Sequence, residues 1–177
     1  MADVLEPGVV IKPCMDKAKA EQWALEIYGL KAINVKEFNS YDDRNFYFKV
    51  DPESKIENPY LTKEDINPNG YMLKVTNTLD SKAESYIDAQ NQMILHMAKS
   101  DLDVPVPVKN KNGQVMSLEE LEVKSNNSWE ANNDEKAAKK IVNKHLVRLL
   151  KFIPGKKKTS MKHLIPTYLQ ISRSSDL

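Results

Sequence analysis

At 177 residues, with 41% apolar and 29% charged side chains, the chain has the size and composition of one ordinary globular domain, which excludes wholesale disorder. A formal net charge of +1 gives no global case for a nucleic-acid or anionic-membrane partner. The one cysteine, Cys14, excludes an internal disulfide, no apolar run approaches the ~18 residues of a membrane span, and Met1-Ala2-Asp3-Val4-Leu5-Glu6 lacks the basic start of a signal peptide. A cytoplasmic protein is the expectation.

Residues 1–15 carry Pro7, Gly8 and Pro13 and are expected to form a loose or extended lead-in. A helix is predicted over 16–28, with Ala20, Trp23, Ala24 and Ile27 on one face and Gly29 as its stop. Strands are predicted over 33–38 and 46–50, where Phe46, Phe48 and Val50 alternate against Tyr47 and Lys49. Residues 39–44 form a polar connection between them. Residues 51–69 read as a long, exposed loop, and 71–76 as a third strand in which Lys74 faces away from Leu73 and Val75.

A helix is predicted over 81–99, with Ile87, Ile94, Leu95 and Met97 near one face. Pro105 and Pro107 break up an extended segment, and Asn112-Gly113 reads as a hairpin turn into a strand at 114–118. Residues 125–140 read as a loop anchored by Trp129, and 145–153 as a buried strand interrupted by Arg148 and closed by Pro154-Gly155. The order helix–β–β–β–α–β–β gives an α+β fold, a five-stranded, mainly antiparallel sheet with one or two packed helices. The domain expectation is a lead-in at 1–15, a nucleotide-binding lobe at 16–155 and a divergent basic tail at 156–177 that opens with Lys156-Lys157-Lys158.

The stretch Ser40-Tyr41-Asp42-Asp43-Arg44-Asn45-Phe46, followed by a strand lysine and then a helix, is how kinase-type N-lobes hold nucleotide phosphates. Taken alone, Lys74 is more readily a solvated strand lysine, and a plain hairpin turn is the lesser alternative for the stretch. Metal and hydrolase chemistry find no support: His96, His145 and His163 are far apart, and none shares ligand spacing with Cys14.

Five segments together make the chain resemble the hydroxylysine kinases, within the aminoglycoside phosphotransferase-like kinases. They are Tyr28-Gly29-Leu30-Lys31, the 40–46 stretch, Leu73-Lys74-Val75-Thr76-Asn77-Thr78, Ala89-Gln90-Asn91 and Leu146-Val147-Arg148-Leu149-Leu150-Lys151-Phe152-Ile153-Pro154-Gly155. The resemblance covers about 16–155 and implies a kinase-like N-lobe. It implies phosphorylation of the small amino acid 5-hydroxy-L-lysine with GTP, ATP being the alternative, and Mg2+.

Carried over by position, Lys74 matches the lysine that contacts nucleotide phosphates, and Ser40, Tyr41 and Asn45 match the phosphate-side loop. Asp42 and Asp43 would repel phosphate and are expected to orient the turn. The helix over 81–99 is expected to present Gln90 or Asp88 to Lys74, and Lys151, Phe152 and Ile153 to hold the base edge through their backbone. No catalytic residue and no metal ligand is assigned, because the family's catalytic Asp and magnesium ligands fall beyond the matched region. The chain is therefore expected to be a shortened form, inactive alone, that either binds nucleotide or serves as an interaction module. Apolar surface around 149–153 is expected to be exposed, with self-association as a consequence.

Overall fold

The computed structural model describes residues 10–122 and 142–155. The expectations for 125–140, with Trp129, and for the tail 156–177 lie outside the described residues.

Helix α1 (Lys17–Glu26) starts where the Asp16 carboxylate accepts from Lys19 N at 2.9 Å, satisfying one of the free amides of the first turn. It buries Ala20, Trp23 and Ala24. Leu30 N donates to Ala24 O at 2.9 Å and Gly29 N to Leu25 O at 2.9 Å, with Gly29 at φ 64°. That left-handed position is why the helix stops there.

The sheet contains β1 (Ala32–Phe38), β2 (Arg44–Val50), β3 (Tyr71–Val75), β4 (Ser117–Glu122) and β5 (Val142–Lys151), in the order β1-β2-β3-β5-β4. Every neighbouring pair is antiparallel. This is an α+β fold with the architecture expected of a kinase N-lobe. Strand β1 carries a one-residue bulge between Ile33 and Lys36, where Asn34 adopts φ 56°.

Alternation divides the sheet into two faces. Phe46, Phe48, Tyr71, Leu73, Val75, Val147 and Leu149 are fully buried and form one cluster with Trp23, Ala24, Tyr28 and Leu30. The opposite face carries Asn45, Tyr47, Met72, Lys74, Arg148 and Leu150, so β3 sends Lys74 away from the apolar core.

Four expectations need correction. The second helix is shorter than 81–99: a 3-10 turn, Asp80–Lys82, precedes α2 (Glu84–Met97). Asn77 Oδ1 accepts from Leu79 N and Asp80 N at 3.0 and 2.9 Å, which fixes a turn where the helix was expected to begin. Ser81 is buried, donating to Thr76 O and accepting from Leu146 N. Of the apolar residues of α2, only Ile87 is fully buried.

The strand predicted at 114–118 begins instead at Ser117. Asn110 Oδ1 accepts from Asn112 N and Gln114 N, both at 3.0 Å, closing a self-contained loop before any strand can start. The 51–69 loop is pinned as well as exposed. Asn58, only 3% exposed, donates to Tyr28 O and Lys109 O at 2.9 Å and accepts from Tyr60 N at 2.9 Å. The lead-in is tied down over 10–15: Thr78 N donates to Ile11 O at 3.0 Å and Met15 is buried.

Candidate functional site

Antiparallel pairing sets Asn45 opposite Lys74 and Lys74 opposite Arg148, while Phe38 lies opposite Asn45. Directly opposite residues share a face, so these side chains form one row across β1, β2, β3 and β5 on the face away from the core. The row is polar at its centre and aromatic at its edge.

Lys74 Nζ donates to Asp43 Oδ2 at 2.6 Å, the two side chains being 28% and 19% exposed. Asp43 Oδ1 also accepts from Asn77 N at 3.0 Å and Asn77 Nδ2 at 3.1 Å. Burial works against the Asp43 carboxylate, but the Lys74 ammonium and the two Asn77 donors outweigh it and hold its pKa below the usual 3.8. The residue that fixes the strand lysine is therefore Asp43 of the turn. Neither Gln90 nor Asp88 of α2 does so: Gln90 Oε1 lies 3.4 Å from Arg148 Nη2, and Asp88 accepts from Gln92 on its own helix.

The turn before β2 is held from several sides. Ser40 Oγ donates to Asp43 O, and Lys12 Nζ donates to the Ser40 and Tyr41 carbonyls at 3.1 and 3.0 Å. Arg44 pairs with Glu37 at 2.6 Å and donates through Nε to Pro13 O at 3.2 Å. The Ser40 hydroxyl thus serves the turn itself, and Tyr41 is 93% exposed with its ring in solvent. Asn45 projects into the row, and its Oδ1 is buried without a partner.

Residues 151–153 sit at the other end of the β3–β5 pair, Lys151 lying opposite Tyr71. Lys151 N donates to Val106 O at 2.9 Å and Phe152 N to Gly70 O at 3.0 Å, while Phe152 O accepts from Asn67 Nδ2 at 2.9 Å. Those backbone groups of Lys151 and Phe152, expected to meet a ligand, are used within the fold. Ile153, beyond the strand, is 36% exposed. Leu149 is fully buried, so the apolar surface expected over 149–153 is confined to its later residues, of which Ile153 is exposed.

The sequence reading passed over three features. The rings of Phe38, Tyr47 and Phe152 form a trio, with centroids 5.9, 6.0 and 4.8 Å apart. Arg148 is 3% exposed and donates through Nη1 to Asn91 Oδ1 at 2.9 Å. The signal for Arg148 was in plain view, a cation inside an otherwise apolar strand. Asn77 anchors both Asp43 and the turn that leads into α2.

Among the described residues, no group of three or more His, Cys, Asp or Glu is placed to hold a metal ion, and no helix is long and apolar enough to cross a membrane. His145 is buried and its Nδ1 lies 2.9 Å from Thr76 O, a packed histidine rather than a ligand. Cys14 is free and half-buried.

No protein-family model matches the chain. Curated relatives do. Hydroxylysine kinase of Xenopus laevis is 31% identical over 147 residues, covering 81% of this chain and 32% of that protein. Hydroxylysine kinase of Bos taurus is 26% identical over 154 residues, covering 87% and 35%, and that of Danio rerio is 28% identical over 144 residues, covering 81% and 32%. The chain thus spans about a third of the length of the curated relatives it matches. By sequence the chain is related to these hydroxylysine kinases over that third of their length.

Proposed function

We propose that this chain is a nucleotide-binding lobe of the hydroxylysine kinase type, taking GTP, or ATP in its place, with Mg2+. The carrying observation is the position of Lys74, on the face of the sheet opposite the apolar core and directly across from a buried arginine. From Lys74 to the position opposite Lys151 is three residues along β3, about 10 Å of strand, a span that suits a base at one end and phosphates at the other.

The chemistry assigned to the residues is binding and orientation. Lys74 offsets charge on the phosphate oxygens. Asn45 offers a polar contact beside it, and Asp43 with Asn77 holds the turn and the lysine in register. The ring faces of Phe38, Tyr47 and Phe152 are the apolar platform nearest residues 151–153. A divalent cation would neutralise phosphate charge, and no described residue is assigned to hold it.

The substrate we propose for the activity is 5-hydroxy-L-lysine, by similarity to relatives that carry the name hydroxylysine kinase, matched over 32% and 35% of their length. For the 177-residue chain alone we propose binding without turnover. The test is GDP release from GTP with magnesium and 5-hydroxylysine, with Lys74→Met as control. Turnover that Lys74→Met abolishes would overturn the binding-only reading; no turnover from a folded chain that binds GTP supports it.

A further inference from the structure

Arg148 is the most deeply buried charge in the described structure, and no carboxylate there is in hydrogen-bond contact with it. The residue is 3% exposed, yet its partners are two neutral amide oxygens, Asn91 Oδ1 at 2.9 Å and Gln90 Oε1 at 3.4 Å. Its Nε is buried and has no partner among the described residues. An arginine does not shed its proton to escape this cost, so the charge stays. A buried cation held only by amides is expensive unless an anion completes it.

The neighbours sharpen the point. Arg148 stands directly opposite Lys74, and two cations facing each other across adjacent strands repel. Asp43 is the one carboxylate that acts on both: it is in contact with Lys74 and reaches Arg148 only through its field. Among the described residues, two positive charges therefore share one negative charge.

We propose that Arg148 is a second cation of the Lys74 anion site, a buried and incompletely compensated charge that makes the site favour ligands carrying several phosphates. This rests on the nucleotide-binding reading above, which used Lys74 alone. Arg148 acts through its field, its buried Nε–H lying out of a ligand's direct reach. The link to Asn91 and Gln90 fixes where the guanidinium sits.

The experiment is calorimetric titration of the full chain with GTP, GDP, GMP and inorganic tripolyphosphate, using wild type, Arg148→Lys and Arg148→Met. A charge effect grows with ligand charge, so Arg148→Met should weaken GTP about tenfold, GDP less, and GMP scarcely at all. Arg148→Lys should retain most of the wild-type affinity. An equal loss for all three nucleotides, or no loss, would overturn the proposal and leave Arg148 as a clamp on α2. Should Arg148→Met not fold, the Arg148 Nε–H resonance of the wild-type chain is followed during tripolyphosphate titration. A shift is expected, and an unmoved signal at saturation overturns the idea. Wild type that binds tripolyphosphate but not GTP would remove the nucleotide reading while keeping the anion site. Wild type that binds neither removes both.

Discussion

Asp43 and Lys74 are 31 positions apart in sequence, and their carboxylate and ammonium meet at 2.6 Å, with Asn77 donating twice to the same carboxylate. One side chain thereby ties the turn before β2 to β3 and to the segment that leads into α2. Because the pKa of Asp43 is lowered in the folded chain, its contribution to stability is fully present above the ordinary carboxylate value of 3.8. It is lost as the pH falls through the lower folded value. Asp43→Asn should cost about 1–2 kcal/mol at pH 7, the partial exposure of the pair limiting the effect. Urea unfolding of both proteins at pH 7 and pH 3 checks this, the difference between them narrowing at the acid end.

A second titration is expected at milder pH. His145 is buried and its pKa lies below the usual 6.5, because burial disfavours the charged ring more than the Thr76 carbonyl supports it. Below that value the unfolded chain binds more protons than the folded one, so stability falls as the pH drops from about 6.5 toward 5. His145→Asn keeps a donor near Thr76 O and removes the titration. Its unfolding midpoint should be flat across that range, where the wild-type midpoint declines.

Much of the fold could be read from the chain because apolar periodicity and local turn chemistry agree. The alternation Phe46, Phe48, Val50 and the facing of Lys74 follow from the two-residue repeat of a strand. Asp16 and Gly29 mark α1 by their capping chemistry. The second helix was overextended because Ser81 resembles an ordinary helix start. It turns inward instead, once Asn77 has captured Leu79 N and Asp80 N.

The partner of Lys74 was misplaced for a different reason. A carboxylate 31 residues upstream competes with a helix residue 16 residues downstream, and nothing in either segment says which reaches first. Similarly, the free backbone edge expected at Lys151 and Phe152 was taken by Val106, Gly70 and Asn67, which come from segments distant in sequence. The site residues were legible as types; their pairings depend on long-range approach.

Asn58 illustrates how a polar loop can carry structural weight. Its amide bridges the Tyr28 and Lys109 carbonyls and accepts from Tyr60 N, all at 2.9 Å in a site only 3% exposed. Replacement by alanine leaves the buried Tyr28 carbonyl, the part-buried Lys109 carbonyl and the Tyr60 amide short of a partner. We expect Asn58→Ala to lower stability by about 2–3 kcal/mol, while Asn69→Ala in the same loop, whose side chain is exposed, stays within about 0.5 kcal/mol. Thermal unfolding of the pair of variants separates the two.

The central claim is that Lys74 and its row form a phosphate-binding face, and nucleotide titration of the intact chain tests it most directly. Wild type should bind GTP in the presence of magnesium, and Lys74→Met, with an unchanged circular dichroism spectrum, should bind it at least about tenfold more weakly. A folded wild-type chain that binds neither GTP nor ATP, or a Lys74→Met chain that binds as well as wild type, would contradict it.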